Sequence, residues 1–324
     1  MRILFVGTGE IGVPSLVRLA SESSFQVVAV LTQPDKPAGR HQQLTASPIK
    51  QAARSLGLTV LQPERVNRPE SIAQIEALQP DVMVVCAYGQ IFKEKLLSIA
   101  PYGCINLHAS LLPRHRGASC IAAAIWQGDS VSGVTTLVMD QGLDTGPILL
   151  QEPIELAPRE TAGSLHDKLA QLGPQLLVRT LCGLRDGTVQ PRLQNDKEAS
   201  YAPKLSRQAG QIDWRKRVVE IDRQIRALTP WPGAHTTIPP RSGGASAHFL
   251  TLKILRARPL EEKLLHASLL PGQIVSIVPA GIVVATGEGT LLLEEVQLAG
   301  RAHMPAAEFA RGIRIQPGMQ LGME

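Results

Sequence analysis

An amide, an imidazole and a carboxylate stand in two short motifs of this chain. Asn106 and His108 lie in the run Cys104-Ile105-Asn106-Leu107-His108-Ala109-Ser110-Leu111-Leu112-Pro113, and Asp144 lies in Gly142-Leu143-Asp144-Thr145-Gly146. On a strand, side chains alternate between faces, so Asn106 and His108 project together while Ile105 and Leu107 enter the packing. The Asn amide and a His ring nitrogen can both donate to a carbonyl oxygen as it turns negative in acyl transfer, and one such donor is worth roughly 10²–10³ in rate. Asp144, brought back by a later strand, would orient the imidazole and favour its charged form. No serine or cysteine nucleophile is required when the acceptor is an α-amino group, whose pKa of about 7.7–8.0 leaves a reactive neutral fraction at pH 7. The chemistry suggested is transfer of a small acyl group to an amine. On spacing alone, an Asn-x-His on a strand is more often a structural hydrogen-bonded pair. What favours catalysis is the Pro- and Gly-punctuated stretch 111–117 directly after them, where open α/β sheets place their ligands.

The elements that must position these groups follow from the apolar pattern. Strand-like runs at 3–6, 27–31, 82–86, 104–107 and 134–139 alternate with helical stretches at 13–20, 49–56, 69–78 and 118–126, and a last helix is expected at 161–184. This alternation predicts a doubly wound, mostly parallel α/β sheet. Residues 186–211, rich in Gly, Pro, Gln, Asn and Asp, mark a linker. A short helix at 218–228 and strand-like runs at 249–256, 273–278, 282–286 and 290–296, separated by Gly272, Gly281 and Gly287-Glu288-Gly289, predict a small β-barrel. The division expected is a catalytic domain at 1–188, a linker at 189–211 and a second domain at 212–324.

A length of 324 residues suits two domains, and 44% hydrophobic with 19% charged content is ordinary for a soluble globular protein. No run of 18 apolar residues occurs, and Met1-Arg2-Ile3-Leu4-Phe5-Val6-Gly7 reads as a strand entering a glycine turn rather than a signal peptide, so a cytoplasmic location is expected. Cys86, Cys104, Cys120 and Cys182 form no C-x-x-C pair and sit in or beside apolar stretches, as buried free thiols do. The eight histidines fall in no H-E-x-x-H or Cys/His cluster, so no metal is expected. The net charge of +5 is uneven: residues 1–203 carry 18 Lys and Arg against 18 Asp and Glu, whereas residues 204–324 carry 15 against 10. That asymmetry fits a polyanionic partner and also a plain solvated surface.

Two motifs point elsewhere. Gly7-Thr8-Gly9-Glu10-Ile11-Gly12 matches the dinucleotide fingerprint after the first strand, but the second strand ends in Leu31-Thr32-Gln33-Pro34-Asp35, with no acidic residue at its tip to take a ribose hydroxyl. The glycines can also serve as a tight strand-to-helix turn, and the motif alone leaves NAD open. Asp144-Thr145-Gly146 matches the aspartic-protease triplet, yet that mechanism needs two carboxylates and no second such triplet exists.

The run Ile105-Asn106-Leu107-His108-Ala109-Ser110-Leu111-Leu112-Pro113-Arg114-x-Arg116-Gly117, together with Gly142-Leu143-Asp144-Thr145-Gly146, resembles the formyltransferases that use 10-formyltetrahydrofolate. The resemblance extends through Gln33-Pro34-Asp35-Lys36-Pro37-Ala38-Gly39-Arg40, Ser47-Pro48-Ile49-Lys50, Ala87-Tyr88-Gly89-Gln90-Ile91, Tyr201-Ala202-Pro203-Lys204-Leu205-Ser206, Ile212-Asp213-Trp214 and Trp231-Pro232-Gly233-Ala234. It is nearest to the members of that family that act on methionyl-initiator tRNA. It implies a Rossmann-like catalytic domain followed by an OB-like barrel that contacts tRNA, in a protein acting as a monomer without a membrane. It implies 10-formyltetrahydrofolate as co-substrate, Asn106, His108 and Asp144 as catalytic residues, and folate lying along Ser110, Leu111, Leu112 and Pro113 with Tyr88, Gly89, Gln90 and Ile91 around the pterin. It also implies tRNA contacts from the loop 34–50, through Lys36, Arg40 and Lys50, and from the basic C-terminal part, including Arg215, Lys216 and Arg217. The chain departs from the family pattern at His41-Gln42-Gln43, where a Gly and lysines are common, at His115, where an aromatic is usual, and at Ser119-Cys120, where Ala-Pro is common. A sugar-nucleotide formyltransferase shares the catalytic core and is the nearest competing reading. The resemblance implies no NAD, since a nicotinamide dehydrogenase rests only on the glycine turn, and a non-enzymatic RNA binder rests only on the C-terminal charge.

Overall fold

The computed structural model describes residues 1–38, 43–239, 249–260 and 269–322. In chain order the elements are β1 (Arg2–Gly7), α1 (Val13–Ser21), β2 (Gln26–Leu31), β3 (Lys36–Ala38), β4 (Gln43–Thr45), α2 (Pro48–Ser55), β5 (Val60–Leu61), α3 (Pro69–Ala77), β6 (Val82–Cys86), α4 (Glu94–Leu97), β7 (Cys104–His108), α5 (Cys120–Gln127), β8 (Val131–Val138), β9 (Ile148–Glu155), α6 (Ala162–Arg185), α7 (Val218–Ala227), β10 (Ala234–Ile238), β11 (Leu250–Leu260), β12 (Ile274–Val278), β13 (Gly281–Ala285), β14 (Thr290–Leu298), β15 (His303–Pro305) and α8 (Ala306–Ile313). They form two compact units. One comprises residues 1–120, 130–156 and 164–203; the other comprises 121–129, 157–163 and 204–324.

The first unit is built on a seven-stranded sheet in the order β5-β2-β1-β6-β7-β8-β9. The strands from β5 to β7 pair in parallel, and β8 and β9 continue the sheet antiparallel. The strand order reverses between β1 and β6, the crevice where open parallel sheets receive ligands. β1 and β6 are buried nearly end to end, as parallel strands covered on both faces must be. Their apolar side chains join Leu31, Ile75, Phe92 and Leu96 in one core.

The glycine turn after β1 is a packing device. A Cβ on Gly7 would stand 2.8 Å from the Cys86 carbonyl oxygen, and one on Gly12 would stand 3.3 Å from the Cys86 side chain. Gly173 plays the same part in the long α6, where an added Cβ would meet the Leu107 side chain at 2.6 Å. The helix thus passes close over β7, and the hydroxyls of Thr136 and Thr180 meet at 2.8 Å beside it.

The second unit carries an antiparallel sheet in the order β10-β11-β14-β13-β12, with β15 on β14. β11 has register shifts between Ile254 and Arg256 and between Arg256 and Ala257. Such bulges bend a strand, which lets β11 pair along its length with β10 on one side and β14 on the other. Trp214, Ile221, Ile225, Leu252, Leu293 and Phe309 are among its core. The segments from earlier in the chain are tied into this unit by hydrogen bonds. Arg159 pairs with Asp222 at 2.8 Å and donates to the Ala257 carbonyl, Arg226 donates to the Glu160 carbonyl at 2.9 Å, and Gly163 N donates to the Thr229 carbonyl at 3.0 Å.

The sequence pattern leaves out β5, β9, β10, β15, α4, α8 and the β3–β4 hairpin. Cys86, Cys104, Cys120 and Cys182 are free thiols, and burial pushes Cys86 and Cys104 up to about 12. Among the described residues no helix is long and apolar enough to cross a membrane, and no group of three or more His, Cys, Asp and Glu side chains is arranged to hold a metal ion.

Candidate active site

β7 delivers two polar side chains to one place. Ile105 and Leu107 are buried in the sheet, while Asn106 and His108 both reach Asp144, which the loop after β8 returns to the end of β7. The Asn106 amide donates to Asp144 Oδ1 at 3.2 Å, and His108 Nδ1 lies 3.6 Å from Asp144 Oδ2. The Gly117 backbone N–H donates to the same Oδ2 at 2.8 Å. Both carboxylate oxygens therefore have partners in a largely enclosed place. The second hydrogen of the Asn106 amide has no protein partner among the described residues, so it is available to a ligand oxygen.

His108 is 6% exposed. Its Nε2 lies 3.0 Å from the His115 carbonyl oxygen, which can only accept, so that nitrogen carries a hydrogen. Burial works against a charge on the ring. The neighbouring Cys120 sulfur, the Asp144 carboxylate and the His115 carbonyl outweigh it and raise the imidazole to about 9. At neutral pH the ring is a cation with both nitrogens directed at acceptors. The sequence reading has a ring nitrogen free to hold an oxyanion; here the His115 carbonyl occupies Nε2.

The loop 109–117 is fixed to the sheet and to the segment after α6. Ser110 donates to the Arg114 carbonyl at 2.7 Å, and Thr135 Oγ1 donates to the Ser110 carbonyl at 2.6 Å while accepting from Leu112 N at 3.1 Å. Gln151 donates to the Leu112 carbonyl at 2.9 Å. His115, at φ 59°, has its N–H on Ser200 Oγ at 2.9 Å. Arg116, 1% exposed, donates to Gln194 Oε1, to Asp196 at 2.8 Å and to the Tyr201 hydroxyl at 3.5 Å.

The segment 87–91 follows β6, the neighbour of β7. Tyr88 is buried in the core against Phe92, ring to ring at 6.0 Å and 74°, and burial pushes its phenol upward. Its carbonyl accepts from Thr8 Oγ1 and Gln33 Nε2, each at 3.1 Å. Gln90 clasps the neighbouring backbone, accepting from Val66 N at 2.9 Å and donating to the Glu64 carbonyl at 3.1 Å. Ile91 stands 78% exposed beside it, and Gly89, at φ 87°, makes the turn. Side chains and backbone of this loop are therefore presented differently: the tyrosine ring inward, the isoleucine outward.

The loop 34–50 splits. Lys36 is exposed on the hairpin, whereas Arg40 lies outside the described residues. Lys50, expected at the tRNA, is 6% exposed with its ammonium 2.8 and 2.6 Å from the two Asp35 oxygens. That hydrogen bond and the one from Gln62 hold the Asp35 carboxyl below its ordinary range. The pair pins the base of the hairpin to the first turn of α2, which Ser47 caps. Arg215 and Arg217, exposed in the second unit, are each paired with an acidic neighbour, Asp213 at 2.8 Å and Glu220 at 2.9 Å.

Sequence reasoning missed Gln194, Ser200 and the burial of Arg116. Gln194 and Ser200 lie in the polar stretch read as a linker, which carries no local sign of its contacts with the site, and Arg116 looks like any loop arginine.

Residues 1–181 match the model of the family described as formyl transferase, and residues 204–314 match that of the formyl transferase C-terminal domain. The chain is 46% identical over 311 residues to the methionyl-tRNA formyltransferase of Trichlorobacter lovleyi, covering 96% of this chain and 94% of that one. It is 44% identical over 325 residues to the enzyme of the same name in Methylacidiphilum infernorum, covering 100% and 99%. Among solved structures it is similar in fold to an N-formyltransferase from Helicobacter canadensis in complex with folinic acid and dTDP-3-aminofucose, with a TM-score of 0.62 at 19% identity over 90% of this chain and 98% of that one.

Proposed function

The chain belongs to the formyl transferase family, and from that premise we propose that it moves the formyl group of 10-formyltetrahydrofolate to the α-amino group of methionyl-initiator tRNA, giving formylmethionyl-tRNA. The observation that carries this reading is the convergence of Asn106, His108 and Asp144 at the end of β7 in a chain related over its full length to methionyl-tRNA formyltransferases.

The neutral amine attacks the formyl carbon, forming the new C–N bond and a tetrahedral intermediate. The free Asn106 hydrogen and the His108 cation face the developing oxyanion, with Nε2 released as the His115 carbonyl yields to the substrate. Asp144 keeps the imidazole oriented and charged and helps carry off the amine proton. The bond to N10 then breaks, N10 takes a proton, and tetrahydrofolate leaves. Folate occupies the adjoining loops after β6 and β7, with Tyr88, Gly89, Gln90 and Ile91 on one side and Ser110, Leu111, Leu112 and Pro113 on the other. The exposure of Ile91 and the pairing of β6 with β7 support this placement.

The initiator tRNA is taken by Lys36, by Arg40 and by the part of the second unit at 204–324, which carries the whole charge surplus. The bulged antiparallel sheet of that unit is read as an OB-like barrel. Domain limits of 1–188 and 212–324 with a linker between them, a monomeric state and action in the cytoplasm complete the proposal.

Incubation with 10-formyltetrahydrofolate and methionine-charged initiator tRNA, and separately with a 4-amino sugar nucleotide, tests it. Formyl transfer to the tRNA alone is expected. Product on the sugar would move the acceptor to the competing branch of the family, and product on neither would remove the activity.

A further inference from the structure

We infer that Gln194 is a positioning residue for Asp144, so that the stretch following α6 belongs to the catalytic centre and is no passive connector. Asp144 has φ 55°, a left-handed backbone that a residue with a side chain adopts only where its surroundings hold it. The Gln194 amide supplies that hold. Its Nε2 donates to the Asp144 carbonyl at 2.8 Å and to the Gly146 carbonyl at 2.7 Å, spanning the turn on which Asp144 sits.

The other end of the amide is equally determined. Gln194 Oε1 accepts from Arg116 Nε at 3.1 Å and Nη2 at 2.9 Å, and a flipped amide would set donors against the guanidinium and an oxygen against two carbonyls. Arg116 is itself fixed by Asp196 and Tyr201, with its chain neighbour Gly117 donating to Asp144 Oδ2. The next residue along from the buried arginine thus holds the carboxylate, while the amide that the arginine aligns holds the backbone. Asparagine is too short to reach both ends, and glutamate lacks the donors. Gln194 does not touch the imidazole; its action passes through Asp144.

The inference rests on the proposed activity only for its rate readout, and a second readout is independent of it. The groups facing His108 are the Asp144 carboxylate, the Cys120 sulfur and the His115 carbonyl, the last on a residue whose ring meets Ser200 Oγ at 3.4 Å. Gln194→Met, close in length and uncharged, removes the amide. The His108 ring is followed by NMR titration in both proteins, alongside thermal melting and steady-state kinetics. The expected result is a cooperatively folded variant in which the His108 titration moves down from about 9 toward the ordinary imidazole value of about 6.5, and kcat falls about 10²-fold with KM little changed. An unmoved His108 titration overturns the inference, whether or not activity is lost, because a purely structural role leaves that value alone. Should Gln194→Met not fold, Gln194→Asn is read in the same way, and failure of both to fold also overturns it. A downward titration in a protein with no formyl transfer to either acceptor upholds the positioning role and removes the proposed activity.

Discussion

His108 sets the pH behaviour of the site. Its folded value of about 9 exceeds the ordinary 6.5, so protonation favours the folded protein: the stabilisation is complete below about pH 6.5 and is lost as pH rises through about 9. The acceptor amine needs the opposite, since it reacts only when neutral, above about 7.7–8.0. Turnover should therefore rise with the neutral amine and fall again near pH 9, and Asp144→Asn should draw the falling limb to lower pH in a kcat–pH profile. His108→Ala should lower kcat by roughly 10²–10³ while circular dichroism reports an intact fold; wild-type turnover in that variant would falsify the catalytic role. The polar inventory of this site is legible in the sequence, because strand alternation alone puts Asn106 and His108 on one side. That His108 Nε2 is already engaged by the His115 carbonyl is not legible, because it depends on the left-handed turn of a loop.

At the level of elements, the strands and helices that carry the site announce themselves through apolar periodicity, and those that escape notice do so for physical reasons. β5 has two residues and β15 three, too short for any period to register. β9 mixes glutamates and a proline into a strand at the edge of the sheet, where alternation is weak. Lys50 is instructive: a lysine in a polar loop reads as exposed, and only the three-dimensional pairing with Asp35 shows it buried as a strut. Lys50→Met should lower the melting temperature and leave the salt dependence of tRNA binding unchanged, whereas Lys36→Ala should reduce the slope of log K against log salt by about 1. Gly7→Ala should cost about 1–3 kcal/mol in urea denaturation, because its Cβ meets a backbone oxygen that has no room to retreat.

Across the whole molecule, division into two parts is readable from composition, yet the segments 121–129 and 157–163 belong with residues 204–324. No sequence pattern gives that away, since α5 is an ordinary apolar helix and the bonds of Arg159, Glu160 and Gly163 to α7, the turn after it and β11 join residues far apart in the chain. A fragment ending at residue 203 should be cut by protease within 121–129 and 157–163, sites that mass spectrometry finds protected in the full chain. The order of synthesis gives this interleaving a further meaning. A ribosome delivers residues 121–163 well before it makes α7 and β11, so during elongation the Arg159 guanidinium, the Glu160 carbonyl and the Gly163 N–H wait without the partners they have in the finished chain. Completion of the second unit then engages them together, so a stalled or prematurely terminated copy carries loose segments that a finished copy ties down, and proteolytic quality control can tell the two apart.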